Sequence, residues 1–190
     1  MVSWSCSEQP AAAARRRAII VWRSTCSCGR PRPRSVASES DNAPGRFNVF
    51  NYKGATVIAD YGHNPDAILA LVGAVESMPA KRRSVVISGA GDRRDQDITE
   101  QTRILGAAFD DVLLYQDQCQ RGRADGEVVR LLREGLTGAK RTSHVDEING
   151  EFIAIDTALA RLSEGDLCLI LIDQVEEALA HIAKRIAEAA

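Results

Sequence analysis

From Phe47 onward the sequence predicts an α/β domain: a mostly parallel sheet with helices on both faces and an antiparallel hairpin at its N-terminal edge. Three observations carry that expectation. Strand-like and helix-like segments alternate to the C-terminus. Most of the strand segments are apolar on both sides, as in strands that helices cover from above and below. The first two strands are instead joined by the dipeptide Lys53–Gly54, which suits a hairpin turn.

The elements follow in order. "FNVF" (47–50) is short and alternating, and "ATVIADY" (55–61) is a β-branched, apolar strand. A helix opens at Pro65, which suits the first helical position, behind Asn64 as a cap and with Asp66 where the dipole favours an acid. Ile68, Leu69, Leu71, Val72 and Val75 form its expected apolar face, and Met78–Pro79 ends it. "RSVVISGAG" (83–91) is a buried strand running into glycines. A helix is expected over 98–109, with Ile98, Ile104, Leu105 and Ala108 inward. "DDVLLYQD" (110–117) is the next strand, and "ADGEVVRLLREGL" (124–136) a helix with Val128, Val129, Leu131 and Leu132 inward. A short strand is expected over 142–145, a helix over 151–162 and a strand over 166–173. The last helix starts near Gln174, with Val175, Leu179, Ile182 and Ile186 on one stripe. The arrangement is Rossmann-like, and in such sheets ligands bind beyond the carboxyl ends of the strands. That rule selects four loops: 60–64, 88–97, 115–123 and 173–176.

The 190 residues, 45% of them hydrophobic, suffice for one domain with a real core. No run reaches the roughly 18 apolar residues of a membrane span, and "AIIVW" (18–22) is too short for a signal-peptide core. The expectation is a soluble, cytoplasmic protein. Net charge is −2 but uneven: the first 46 residues hold eight Arg, no Lys and three acids, so the remainder is acidic. Cys6, Cys26 and Cys28 crowd the same region, and only Cys119 and Cys168 follow. "CSC" (26–28) lacks the spacing and second ligand pair of a zinc site, so no metal site is expected. The start has no sustained period of 2 or 3.6. Residues 1–40 therefore read as a disordered or non-homologous Arg/Pro/Ala-rich extension, and 41–190 as the folded domain. An RNA-binding arm is disfavoured because the Arg cluster lacks interleaved aromatics, and a transit peptide by Glu8 and the Pro-Arg repeats.

The loops carry the chemistry. "SGAGDRRDQD" (88–97) is neither G-x-G-x-x-G nor a P-loop, since no G-K-[ST] follows. Two readings are open for Asp92, Arg93, Arg94 and Asp95: a grip on a charged, zwitterionic substrate, or a solvated turn with mutual ion pairs. "YQDQCQRGRADGE" (115–127) repeats the choice with Asp117, Arg121 and Arg123, because Arg pairs carboxylate or phosphate in a bidentate way. Cys119 has no activating neighbour in sequence. His144 and His181 have no patterned partners. His63 stands at a strand end just before a helix cap, as a donor to phosphate or ribose or as a structural turn histidine.

With the loops assembled, "DYGHNPDA" (60–67) resembles the D-[YG]-[AG]-H-N-P signature that opens the C-terminal domain of Mur ligases and folylpolyglutamate synthetases. "PGRFNVF" (44–50) is similar to the linker and strand before it. The two charged loops, with "GDLCLILIDQVEEAL" (165–179), resemble the cyanophycin synthetase branch. The likeness covers about residues 40–190. It implies an enzyme that uses ATP and Mg²⁺ to turn a carboxylate into an acyl phosphate, which an amine attacks to give an amide. In that branch the amine is arginine and the acceptor an aspartate side chain on a poly-aspartate backbone.

By the same resemblance Asp60, His63 and Asn64, joined by Arg46 at the hinge, face the nucleotide. Asp92, Arg93, Asp95, Asp117, Arg121 and Arg123 position amino acid or acceptor, with no catalytic or metal-binding residue assigned. ATP and Mg²⁺ would be held mainly by a central ligase domain that this sequence does not contain. The expectation is therefore the C-terminal domain of a truncated ligase, inactive alone. The alternative is a non-catalytic module that binds nucleotide or amino acid, or regulates ligase subunits.

Overall fold

The computed structural model describes residues 43–189. The expected 1–40 extension lies outside the described residues. Within them, six strands and five helices alternate as β1 (Asn48–Tyr52), β2 (Ala55–Asp60), α1 (Pro65–Glu76), β3 (Arg83–Ile87), α2 (Asp95–Ala108), β4 (Asp111–Gln116), α3 (Glu127–Gly135), β5 (His144–Asn149), α4 (Glu151–Arg161), β6 (Leu167–Leu171) and α5 (Val175–Ala189). One sheet has the order β1-β2-β6-β3-β4-β5. Only β1 runs antiparallel, paired with β2; the other pairs are parallel. The hairpin turn has positive φ at both Lys53 (50°) and Gly54 (82°), the handedness that matches strand twist.

Two cores flank the sheet. On one face Ile58, Val85, Ile87, Val112, Leu114 and Leu169 meet α1, α2 and α3. On the other Val57, Val86, Leu113, Tyr115, Cys168 and Ile170 meet α4 and α5. Successive strand residues thus feed opposite cores, which is why these segments read as continuous apolar runs. Helix α1 starts as its sequence dictates: the Asn64 side chain accepts from Ala67 N at 2.9 Å and Pro65 follows.

Four details differ from expectation. Leu69 is 59% exposed, because Ile68, Leu71, Val72 and Val75 already complete a stripe at 3–4 residue spacing. Helix α2 begins at Asp95 rather than Ile98, its first turn being acidic and polar. Helix α3 begins at Glu127, after a left-handed Gly126. Strand β5 spans His144–Asn149 instead of 142–145; its half-exposed, polar sequence is that of an edge strand paired on one side only.

Candidate functional site

The carboxyl ends of β2, β6, β3 and β4 lie side by side, and three of the four loops named above meet there with the start of the fourth. Strand β6 leads to α5 on one face, whereas its neighbour β3 leads to α2 on the other. The chain parts between them and leaves a narrow crevice, lined by Gly62, His63, Ser88, Gly89, Ala90, Tyr115, Asp117 and Leu171–Asp173.

Asp60 ends β2 and is 7% exposed. Its Oδ1 accepts from Gly62 N and its Oδ2 from Phe47 N, each at 2.7 Å. One carboxylate thus ties the incoming linker to the outgoing turn. The carbonyl of His63 is held by Gln101 Nε2 at 3.0 Å, from a side chain of α2 that is 0% exposed. The His63 ring stands edge-on to Tyr61, centroids 3.7 Å apart. Burial lowers its pKa from 6.5 to about 4, helped by the nearby charges of Arg121, Arg93 and Arg46 and opposed by Asp92. His63 is therefore neutral near pH 7, with one ring N–H to donate and one nitrogen to accept.

The second loop bears Asp92, Arg93 and Asp95, and the third Asp117, Arg121 and Arg123. Arg121 reaches Asp173 at 3.3 Å and Asp92 at 3.5 Å. It does so from a left-handed backbone (φ 48°), a conformation that costs energy for a side chain of this size. Arg123 latches the two loops: Nε donates to Gly91 O and Nη2 to Arg93 O, both at 2.7 Å, while Asp95 and Glu127 take its charge at 2.7 and 2.8 Å. Gly91 is needed at that junction, since a Cβ there would strike the Gln120 carbonyl oxygen. By contrast, Arg46 and Arg93 are exposed and form no direct ion pair among the described residues, although the Arg93 charge acts on Asp97 from further off.

A second half of the crevice is acidic. The carboxyl groups of Asp117 and Asp173 both face it. Burial raises the Asp117 pKa, and the neighbouring Asp173 carboxylate raises it further. Behind them Glu151, 3% exposed at the start of α4, accepts from Asp173 N at 2.8 Å and Gln174 N at 3.2 Å. Burial raises its pKa, and those backbone donors oppose the rise.

Of the sequence-derived residues, Arg46, Asp60, His63, Asp92, Arg93, Asp117 and Arg121 gather at this crevice. Asn64 is engaged as the α1 cap, and Asp95 and Arg123 form the latch between the two loops. The sequence pattern alone does not point to Asp173, Tyr61, Gln101 or Glu151 as site residues. Asp173 lies in a loop that the strand-end rule selects. Tyr61 lies inside the 60–67 signature and meets His63 two residues on, whereas Gln101 and Glu151 carry no local motif and act through tertiary contacts.

Residues 45–171 match the family described as "Mur ligase, glutamate ligase domain". The chain belongs to this family. The cyanophycin synthetase of Geminocystis herdmanii is 34% identical over 151 residues, 80% of this chain. The UDP-N-acetylmuramoyl-L-alanyl-D-glutamate–2,6-diaminopimelate ligase of Aquifex aeolicus is 29% identical over 68% of it. The chain spans 17% of the first relative's length and 26% of the second's. Among solved structures, the Mur ligase domain superposes on a diaminopimelate-adding ligase with a TM-score of 0.65 at 18% identity, over 77% of this chain and 32% of that one. Escherichia coli FolC in complex with ADP gives 0.58 at 25% identity, over 76% and 33%. The α/β fold is thus that of the C-terminal domains of Mur and folylpolyglutamate ligases.

Proposed function

We propose that this Mur ligase domain forms the nucleotide- and amino-acid-facing lid of an ATP-dependent, amide-forming ligase of the cyanophycin synthetase kind. The observation that carries the reading is the neutral His63 beside three arginines, two of them without a direct ion pair among the described residues. Such a set suits the phosphates and ribose of a nucleotide: imidazole and guanidinium groups donate, and the cations offset the charge. FolC, related in fold and 25% identical, is seen with ADP. When bound, ATP supplies the phosphoryl group that activates a carboxylate toward an amine.

In this reading Asp60 fixes the turn, Gln101 fixes the His63 carbonyl, and His63, Arg93 and Arg46 contact the nucleotide. Asp117 and Asp173 face the cationic end of an incoming amino acid, arginine in the cyanophycin reaction. Arg121 takes a carboxylate, of that amino acid or of an aspartate-bearing acceptor. Asp95 and Arg123 keep the two loops in register. The described residues offer no group of three or more His, Cys, Asp or Glu side chains able to hold a metal ion, so no step is assigned to Mg²⁺ here. The sequence also has no G-K-[ST] loop to cradle phosphates. Turnover would then need the P-loop domain or subunits that complete the ligase, and closure would bring the amine to the activated carboxyl group while excluding water.

Calorimetry on the full chain tests this. ADP should bind, and Arg93→Gln should weaken binding about tenfold, the loss of one charge-assisted hydrogen bond. The chain mixed with ATP, arginine and an aspartate-containing peptide should form no amide. Absence of ADP binding at millimolar concentration, or equal binding by the variant, would overturn the nucleotide-facing role. Amide formation would overturn the need for a second domain.

A further inference from the structure

Glu151 is a buried acid for which the nucleotide-facing role has no use. It opens α4 and stands behind the crevice rather than in its lining, and it is 3% exposed. A carboxylate taken out of water is costly unless donors meet its oxygens. Here both oxygens are met, and by one short turn. Oε1 accepts from Asp173 N at 2.8 Å, and Oε2 from Gln174 N at 3.2 Å and Gln174 Nε2 at 3.3 Å. Two consecutive amides are thus held by the two oxygens of one group, a grip that an amide side chain, with its single acceptor oxygen, cannot reproduce.

That turn leads from β6 to α5 and carries Asp173. Other elements hold the residues around it. The Leu171 carbonyl accepts from the Tyr115 hydroxyl of β4 at 3.2 Å, and Ile172 N donates to the Asp60 carbonyl of β2 at 2.9 Å. Gln174 O then accepts from Ala178 N at 2.7 Å as α5 begins. For the Asp173 amide the tie is Glu151. On the crevice side, Asp173 Oδ1 lies 3.3 Å from Arg121 Nη2. The His63 turn is held separately, by Asp60 and Gln101.

We propose that Glu151 is a positioning residue for the amino-acid end of the site, an inference that rests on the amino-acid-facing reading above. It fixes the 173–174 backbone, and so the Asp173 carboxylate, for the cationic end of the incoming amino acid. It touches neither the amino acid nor the nucleotide, and it acts through Asp173.

The test is calorimetry on the full chain with L-arginine and, separately, with ADP. It compares the wild type, Glu151→Gln, Asp173→Ala and the double variant. Gln keeps one acceptor oxygen and turns an NH₂ group toward the other amide. Glu151→Gln should weaken arginine binding at least about fivefold and leave ADP binding unchanged. In the Asp173→Ala background the same substitution should cause no further loss, because the two residues act as a unit. Unchanged arginine binding, equal losses for both ligands, or a loss that adds to that of Asp173→Ala would each overturn the proposal, while the nucleotide-facing reading would still stand on ADP binding by the wild type. A wild type that binds ADP but no arginine would overturn the amino-acid-facing reading and the proposal with it. Should Glu151→Gln fail to fold, Gln174→Ala, which removes only the side-chain contact, gives a second reading. Its arginine affinity should fall at least about twofold with ADP binding unchanged, and an arginine affinity equal to that of the wild type would overturn the proposal.

Discussion

Asp60 shows how one side chain sets the crevice. A carboxylate that accepts two backbone N–H groups while 93% of its surface is covered shapes the turn that bears His63, and it does so without leaving β2. Replacing it with Ala strips the acceptor from Phe47 N and Gly62 N. Asp60→Ala should cost roughly 2–4 kcal/mol of stability, read as a lower urea midpoint, and Asp60→Asn, which keeps one acceptor oxygen, should cost less. His63 adds a pH dependence of definite sign. Its folded-state pKa of about 4 lies below the ordinary 6.5. Between those values the unfolded chain binds a proton that the folded chain refuses. The stability that neutral His63 contributes is therefore complete above 6.5 and lost as pH falls through 4.

Among the elements, α2 and α3 cross closely at Gly135. A Cβ on Gly135 would collide with the Thr99 carbonyl and hydroxyl-bearing Thr102. Gly135→Ala should cost roughly 1–3 kcal/mol, measurable by thermal unfolding, although Ala is otherwise the better helix former. Most elements were legible because their apolar spacing is strict: Val128, Val129, Leu131 and Leu132 mark α3, and the runs of β3, β4 and β6 are apolar throughout. Leu69 misled because a large apolar side chain one residue off the stripe looks inward in sequence and is not. Strand β5 was underestimated because an edge strand can be polar on alternate residues. The crevice was legible as loops through the strand-end rule. Its actual pairings were not, since Arg121 with Asp173 and Gln101 with His63 join residues 52 and 38 positions apart, with no shared local pattern.

At the scale of the molecule, the sheet separates two poles. One carries charged loops from four parallel strands, with cations left open around a neutral imidazole. At the other the parallel strands begin. Between them two apolar cores hold the strands in register, and no helix among the described residues is long and apolar enough to cross a membrane. The domain spans 17% of the cyanophycin synthetase it matches, and in the proposed function its crevice is one wall of a larger ligase site. The imidazole titration of His63 in the full chain, followed by NMR with and without ADP, tests that account most directly. Without ADP the midpoint should lie near 4. Saturating ADP should move it upward, because phosphate charge offsets Arg121, Arg93 and Arg46. A midpoint at the ordinary 6.5 without ligand, or one that saturating ADP leaves unmoved, would contradict a nucleotide-facing His63.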